Sequence, residues 1–173
     1  MILMKVAPYH LEKTSSYCAD LLAQRISPSI LTINEFEILK NYKKLVCSPQ
    51  LRAIQTASLI NNKLIIDGDL NEIPFSVNGL DNSNFSSTEI RKKFLKNFRN
   101  NTLLESHNSI KKRIDRIFKK YDDKTLCITH TFFMKIVLEY SKNPLLFKNI
   151  KQLNFDPSKR LFNYLDTIVI RNH

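Results

Sequence analysis

Short apolar runs alternate with segments of helical periodicity along this chain, and that alternation constrains the fold more than any other feature. The runs have the length of buried strands, and the apolar residues between them recur every three or four positions. We predict strands at residues 2–6, 44–47, 64–66, 125–129 and 166–171, and helices at 14–24, 33–43, 49–61, 88–99, 106–121 and 131 to about 141. This order predicts an α/β fold, a three-layer α/β/α sandwich with a mostly parallel central sheet.

Length and composition predict a single domain over residues 1–173, because this length can bury a sizeable core and no linker or repeat interrupts it. Residues 73–88 lack a clear period and predict a long loop. No apolar run reaches the roughly 18–20 residues of a membrane span, and the first residues lack a signal-peptide pattern.

The three cysteines, Cys18, Cys47 and Cys127, are odd in number and scattered, which argues against a disulfide framework and against a zinc site. We therefore expect a cytoplasmic protein with reduced thiols and with no membrane partner, metal or cofactor.

The formal net charge of +11 is concentrated in residues 91–120. One interpretation is an electrostatic surface for an anionic partner such as nucleic acid. The other is a solvated helix face, because Ile110, Ile114 and Ile117 fall at helical spacing and would bury the opposite side. We favour the solvated face, and nucleic-acid binding remains a distant alternative without a stacking motif.

Residues 47–57, which read CSPQLRAIQTA, carry the most chemical information. They follow the apolar pair Leu45-Val46. Ser48 is predicted as the N-cap of a helix and Pro49 as its first residue. A helix that begins at the end of a strand presents backbone donors and a favourable dipole to an anion. Arg52 lies one turn into this helix, and its planar guanidinium suits a phosphate group.

A second candidate ligand is His130, which follows the predicted buried strand 125–129. Ligands of open α/β sheets bind outside the carboxyl ends of the strands. A lone histidine is more often structural, but its place at a strand end favours a functional role.

These motifs resemble those of the histidine phosphatase (phosphoglycerate mutase-like) superfamily. Residues 47–57 are similar to its signature SSPLxRAxQTA, and residues 127–131 are similar to its V-S-H-G segment, with Thr129 and Thr131 in place of serine and glycine. The resemblance implies that Arg52 and His130 bind the phosphoryl group.

Two further segments extend the resemblance. Residues 70–75 are similar to the family's L-x-E-x-x-F-G segment, which implies that Glu72 is the general acid, although Ser76 replaces the glycine. The alternative interpretation, that Glu72 is a solvated loop residue without a catalytic role, is equally compatible with the sequence. Glu105, Ser106 and Arg113 resemble the family's E-S-x-x-x-x-x-x-R helix start, with Ser106 as N-cap.

The resemblance breaks at the first strand, which in the family ends in Arg-His-Gly with the histidine as nucleophile. A gapless alignment places Lys5 on the arginine, Val6 on the histidine and Ala7 on the glycine. Lys5 still offers a positive charge to phosphate, but Val6 cannot attack phosphorus. His10 is the one nearby histidine in the sequence, and it acts as nucleophile only if the chain folds back.

Two classes of function therefore remain open. The first is a binding protein that holds a phosphorylated small molecule or phosphoprotein at Arg52 and His130, with phosphohistidine catalysis lost or impaired. The second is an active phosphatase that uses His10, as a displaced nucleophile, or a bound water as nucleophile. In this hypothesis Glu72 is the acid, and Arg52 and His130 form the phosphate pocket.

Overall fold

The computed structural model describes residues 2–5, 42–61, 63–75, 86–162 and 167–170. Its strands are β1 (Ile2–Lys5), β2 (Lys44–Cys47), β3 (Leu64–Ile66), β4 (Thr125–Thr129) and β5 (Thr167–Val169). They form one five-stranded sheet in the order β3-β2-β4-β1-β5. The pairs β3–β2, β2–β4 and β4–β1 are parallel, and β5 runs antiparallel to β1. The predicted mostly parallel sheet is confirmed.

Within the described residues, four α-helices lie between the strands: α1 (Leu51–Ile60), α2 (Ser87–Arg99), α3 (His107–Lys120) and α4 (Thr131–Lys142). Short 3₁₀ turns occur at Gly68–Leu70 and Ile150–Gln152.

The helices cover both faces of the sheet, because successive side chains of a strand point to opposite sides. Leu45, Cys47, Leu126 and Ile128 pack with the buried residues of α1. Val46 and Cys127 point the other way and pack with the buried residues of α2, α3 and α4. The predicted three-layer architecture is therefore correct.

Most predicted boundaries within the described residues agree with the structure, and β2, β3 and β4 have the predicted bounds. Ser106 caps α3 as predicted, since its hydroxyl accepts a hydrogen bond from the Ser109 amide at 3.2 Å. The predicted helix 14–24 lies outside the described residues. Of the predicted helix 33–43, only residues 42 and 43 are described, and they are not helical.

One prediction about the start of α1 is wrong. The N-cap is Gln50, the helix begins at Leu51, and Pro49 therefore precedes it. Ser48 is buried and its hydroxyl accepts from the Gln50 amide at 3.2 Å, which closes a short turn before the helix rather than capping it. The hydroxyl has other partners at the sheet edge, described below.

The basic segment divides into an outer and an inner face. Ile110, Ile114 and Ile117 are fully buried on α3, while Lys112 and Lys119 are exposed, which agrees with the favoured solvated face. Arg113 departs from that interpretation, because it is only 6% exposed. Its neighbours provide the counter-charge and packing that burial of a guanidinium requires.

Cys47 and Cys127 are buried free thiols, and Cys18 lies outside the described residues. Within the described ranges, no helix has the length and apolar character needed to cross a membrane.

Candidate functional site

Two neighbouring parallel strands, β2 and β4, end side by side at the carboxyl edge of the sheet. Ser48 follows β2 and His130 follows β4, and the Ser48 amide donates to the Ile128 carbonyl at 3.0 Å. The parallel strand β1 ends at the same edge, where the Cα of Lys5 pairs with that of Thr129. The edge therefore collects the ends of three strands, and it is where ligands of open α/β sheets bind.

Arg52 and His130 meet at this edge. Arg52 is the second residue of α1, and its Nε and Nη2 lie 3.2 and 2.9 Å from Nδ1 of His130. The two residues are 78 positions apart in the sequence, so the fold alone brings them together. The predicted pair of phosphate ligands thus shares one site.

His130 is almost completely buried, with 1% of its surface exposed. Its Nε2 lies 2.9 Å from the hydroxyl oxygen of Ser48, which in turn donates to Oδ1 of Asn71 at 2.8 Å. Burial, assisted by the charges of Arg52 and Arg113, holds the pKa of His130 well below its usual range. The imidazole is therefore neutral at physiological pH.

The carboxylate of Glu72 lies at the N-terminus of α4. Its Oε1 accepts from the amides of Ile73 at 3.0 Å and Phe133 at 2.8 Å, and its Oε2 accepts from the Phe132 amide at 3.2 Å. The helix dipole favours a negative charge at this position. Burial nevertheless dominates and raises the pKa of the carboxyl, against the lowering effect of these amides and of Arg52. Oε2 accepts a single long hydrogen bond from these amides, so it is the oxygen better placed to carry a proton.

The segment that carries Glu72 is held from two sides. The Thr129 hydroxyl donates to the Leu70 carbonyl at 2.7 Å, and Nη1 of Arg113 donates to the Asn71 carbonyl at 2.9 Å. Arg113 also forms an ion pair with Glu105 at 2.9 Å and lies 4.4 Å from the centre of the Phe133 ring. These contacts explain how a guanidinium is buried here, and they fix the position of Glu72.

Sequence reasoning did not assign Asn71 or Arg113 to the site. Asn71 had no signal beyond its place next to Glu72. For Arg113 the only signal was the resemblance of residues 105–113 to a family helix start.

The remaining predicted site residues are only partly placed. The backbone of Lys5 ends β1 at the site edge. Val6, Ala7 and His10 lie outside the described residues. Among the residues that the structure does describe, no three His, Cys, Asp or Glu side chains are grouped so as to hold a metal ion.

The raised pKa of Glu72 has a testable consequence for stability. A group whose pKa is higher in the folded protein stabilises the fold below its unfolded pKa, about 4.3, and loses that contribution as pH rises through the folded pKa. We expect wild type to lose stability relative to Glu72→Gln as pH rises from about 4.3 through the raised pKa of Glu72, by about 1.4 kcal/mol for each unit of upward shift. Urea unfolding at several pH values measures this difference.

Glu89→Gln is the matched control, because Glu89 is an exposed carboxylate whose pKa is lowered by hydrogen bonds from Ser86. Wild type should gain stability relative to Glu89→Gln as pH rises, whereas it should lose stability relative to Glu72→Gln. A stability difference for Glu72→Gln that stays constant with pH would contradict a raised pKa at Glu72.

Comparison with known proteins places this geometry in a family. A family model described as histidine phosphatase superfamily (branch 1) matches residues 34–157. No curated protein sequence gives a significant match. Solved structures with a similar fold include mycobacterial hydrolase 2, with a TM-score of 0.55 and 12% identity; the match covers 96% of this chain and 79% of that one. Mycobacterial hydrolase 1 is similar with a TM-score of 0.53 and 12% identity, and the match covers 96% of this chain and 88% of that one.

A third similar structure is that of a mycobacterial glucosyl-3-phosphoglycerate phosphatase, with a TM-score of 0.52 and 13% identity over 96% of this chain and 87% of that one. At such identities the likeness shows the fold alone. The family model, in contrast, matches well over half of the sequence and includes Arg52, Glu72 and His130. The chain is therefore a member of the histidine phosphatase superfamily.

Proposed function

We propose that this protein binds the phosphoryl group of a phosphorylated small molecule or phosphoprotein at Arg52 and His130. The observation that carries the proposal is the contact between the Arg52 guanidinium and buried His130 at the carboxyl edge of the sheet. A guanidinium in a partly dry site is a strong phosphate ligand, because its hydrogen bonds to an anion are charge-assisted. Family membership supports the assignment of both residues.

We further propose that ordinary phosphohistidine catalysis is lost or impaired. The pairing of Lys5 with Thr129 supports the gapless alignment, since the residue that follows Thr129 is the site residue His130. The residue that follows Lys5 in the sequence is Val6, where the family has its nucleophile. A valine side chain has no lone pair, so no covalent phosphoenzyme forms there. What remains is electrostatic binding of the phosphoryl group.

A second candidate function is an active phosphatase in which His10 is a displaced nucleophile. The raised pKa of Glu72 favours this alternative, because a general acid must hold its proton near neutral pH and a binding pocket has no such need. The alternative also requires His10 to reach the phosphorus, and a displacement of about 1 Å can cost on the order of 100-fold in rate.

Turnover of p-nitrophenyl phosphate separates the two functions. We expect wild type to hydrolyse this ester at close to the rate of Arg52→Ala, which serves as the background, and His10→Ala to change nothing. Robust wild-type turnover that disappears in His10→Ala would instead show that His10 is the nucleophile.

A further inference from the structure

The structure assigns Ser48 and Asn71 as positioning residues that hold His130 in its Nε2–H tautomer, with Nδ1 as the acceptor facing Arg52. We infer that a fully deprotonated oxyanion bound beside Arg52 is accompanied by the uptake of a proton at Nδ1. The tautomer stands on the hydrogen bonds alone, whereas the proton uptake rests on the proposed function.

The direction of each hydrogen bond follows from what each group can donate. Arginine has only donors, so Nδ1 of His130 must be the acceptor in its contacts with Arg52. A neutral imidazole carries one proton, which must then lie on Nε2 and point to the Ser48 oxygen 2.9 Å away.

The same reasoning fixes the Ser48 hydroxyl. Its oxygen accepts from Nε2 of His130 and from the Gln50 amide, which uses both lone pairs. Its own proton must go to an acceptor, and Oδ1 of Asn71 lies 2.8 Å away. The hydrogen bonds therefore all run in one direction, with Arg52 donating to His130, His130 to Ser48 and Ser48 to Asn71.

The far end of this series of hydrogen bonds is anchored. Arg113 donates to the Asn71 carbonyl at 2.9 Å and is itself paired with Glu105. This hydrogen bond is to the main-chain carbonyl, so it holds the backbone that carries the Asn71 side chain. These hydrogen bonds hold the imidazole ring at its Nε2 side, while Arg52 contacts it at Nδ1.

The charged groups around His130 determine when it takes up a proton. Arg52 on α1 and Arg113 on α3 both oppose a positive imidazole, as does burial, and Glu72 is the carboxylate at the start of α4. A bound dianion offsets the two guanidinium charges. It also requires a donor at Nδ1, because a lone pair facing an anionic oxygen is repulsive. Sulfate has no proton to contribute near neutral pH, so the proton at Nδ1 must be taken up from the solvent.

The tautomer is tested on the wild-type protein by long-range ¹H–¹⁵N NMR of the histidine rings, with His130→Gln to assign the signals. We expect Nε2 protonated and Nδ1 unprotonated at pH 7. A protonated Nδ1 in the absence of added anion would overturn the assignment, whatever the variants do.

The proton uptake is tested by calorimetric titration with sodium sulfate in two buffers of different ionisation enthalpy. We expect wild type to take up about one proton per sulfate bound and to bind sulfate more tightly as pH falls. Ser48→Ala should weaken sulfate binding about tenfold, the effect of losing one hydrogen bond to a charged ring, and should shift proton uptake to lower pH. Ser48→Thr restores the hydroxyl and should restore both properties.

The matched control is Ser58→Ala, which removes a serine of α1 that donates only to the Ile54 carbonyl on the exposed side of the helix. It should bind sulfate as wild type does. A Ser48→Ala variant with wild-type affinity and proton count would overturn the positioning role. Absence of any sulfate or phosphate binding by wild type would overturn the proposed function and the proton uptake together, and the ring nitrogens would still decide the tautomer.

Discussion

Arg52→Ala should bind inorganic phosphate at least about 100-fold more weakly than wild type. Each hydrogen bond to a charged group contributes about 1.5–3 kcal/mol, so loss of two such bonds costs at least about 3 kcal/mol, which is more than 100-fold in affinity. Stability should fall by only about 1 kcal/mol, since Arg52 is half-buried and its guanidinium donates to a neutral ring nitrogen of His130. Calorimetric titration with phosphate and thermal unfolding measure the two effects.

Two further variants make this result specific. Arg52→Lys keeps the charge but not the planar fork, and its affinity should lie between those of wild type and Arg52→Ala. Lys112→Ala removes an equal charge from the exposed face of α3 and should bind phosphate as wild type does. Unchanged phosphate affinity in Arg52→Ala would remove Arg52 from the site.

Val6→His with Ala7→Gly should raise p-nitrophenyl phosphate turnover above the wild-type rate by about tenfold or more. The double change restores the family's His-Gly pair after Lys5 and supplies an imidazole nitrogen that can form a covalent intermediate. The expected gain in turnover is small compared with the rate enhancement of natural enzymes, because a nucleophile must be placed to within about 1 Å to be efficient. Steady-state assays and acid-labile incorporation of phosphate into the protein measure it.

The control for this variant is Val6→Asn with Ala7→Gly, which introduces a polar side chain of similar size without a nucleophilic nitrogen. It should remain at the wild-type rate. Equal rates for the histidine and asparagine variants, together with an active wild type that depends on His10, would contradict the proposed loss of the nucleophile.

The parts of the fold that depend on local pattern were predictable from the sequence. Three apolar residues between two threonines predict β4 over 125–129, and His130 follows it at the sheet edge. Ser106 followed by apolar residues at helical spacing gives α3 its start and its buried face. In these segments the local preference and the tertiary packing favour the same structure.

The parts of the site that depend on distant partners were not predictable. Ser48 has the local signature of an N-cap, but its hydroxyl bonds to Asn71, 23 residues away, and to His130, 82 residues away. Arg113 belongs by pattern to a basic helix face, yet its partner carbonyl on Asn71 is 42 residues away. Such contacts are decided by which strand ends adjoin in the sheet, and no local pattern contains that information.

The most direct test of the account is the position of tungstate, a phosphate analogue, in crystals of the wild-type protein. We predict one strong anomalous peak whose oxygens lie about 2.7–2.9 Å from the Arg52 guanidinium, with His130 Nδ1 also in hydrogen-bond reach. Tungstate bound elsewhere, with Arg52 still in contact with His130 at an unoccupied sheet edge, would contradict a phosphoryl site at these residues.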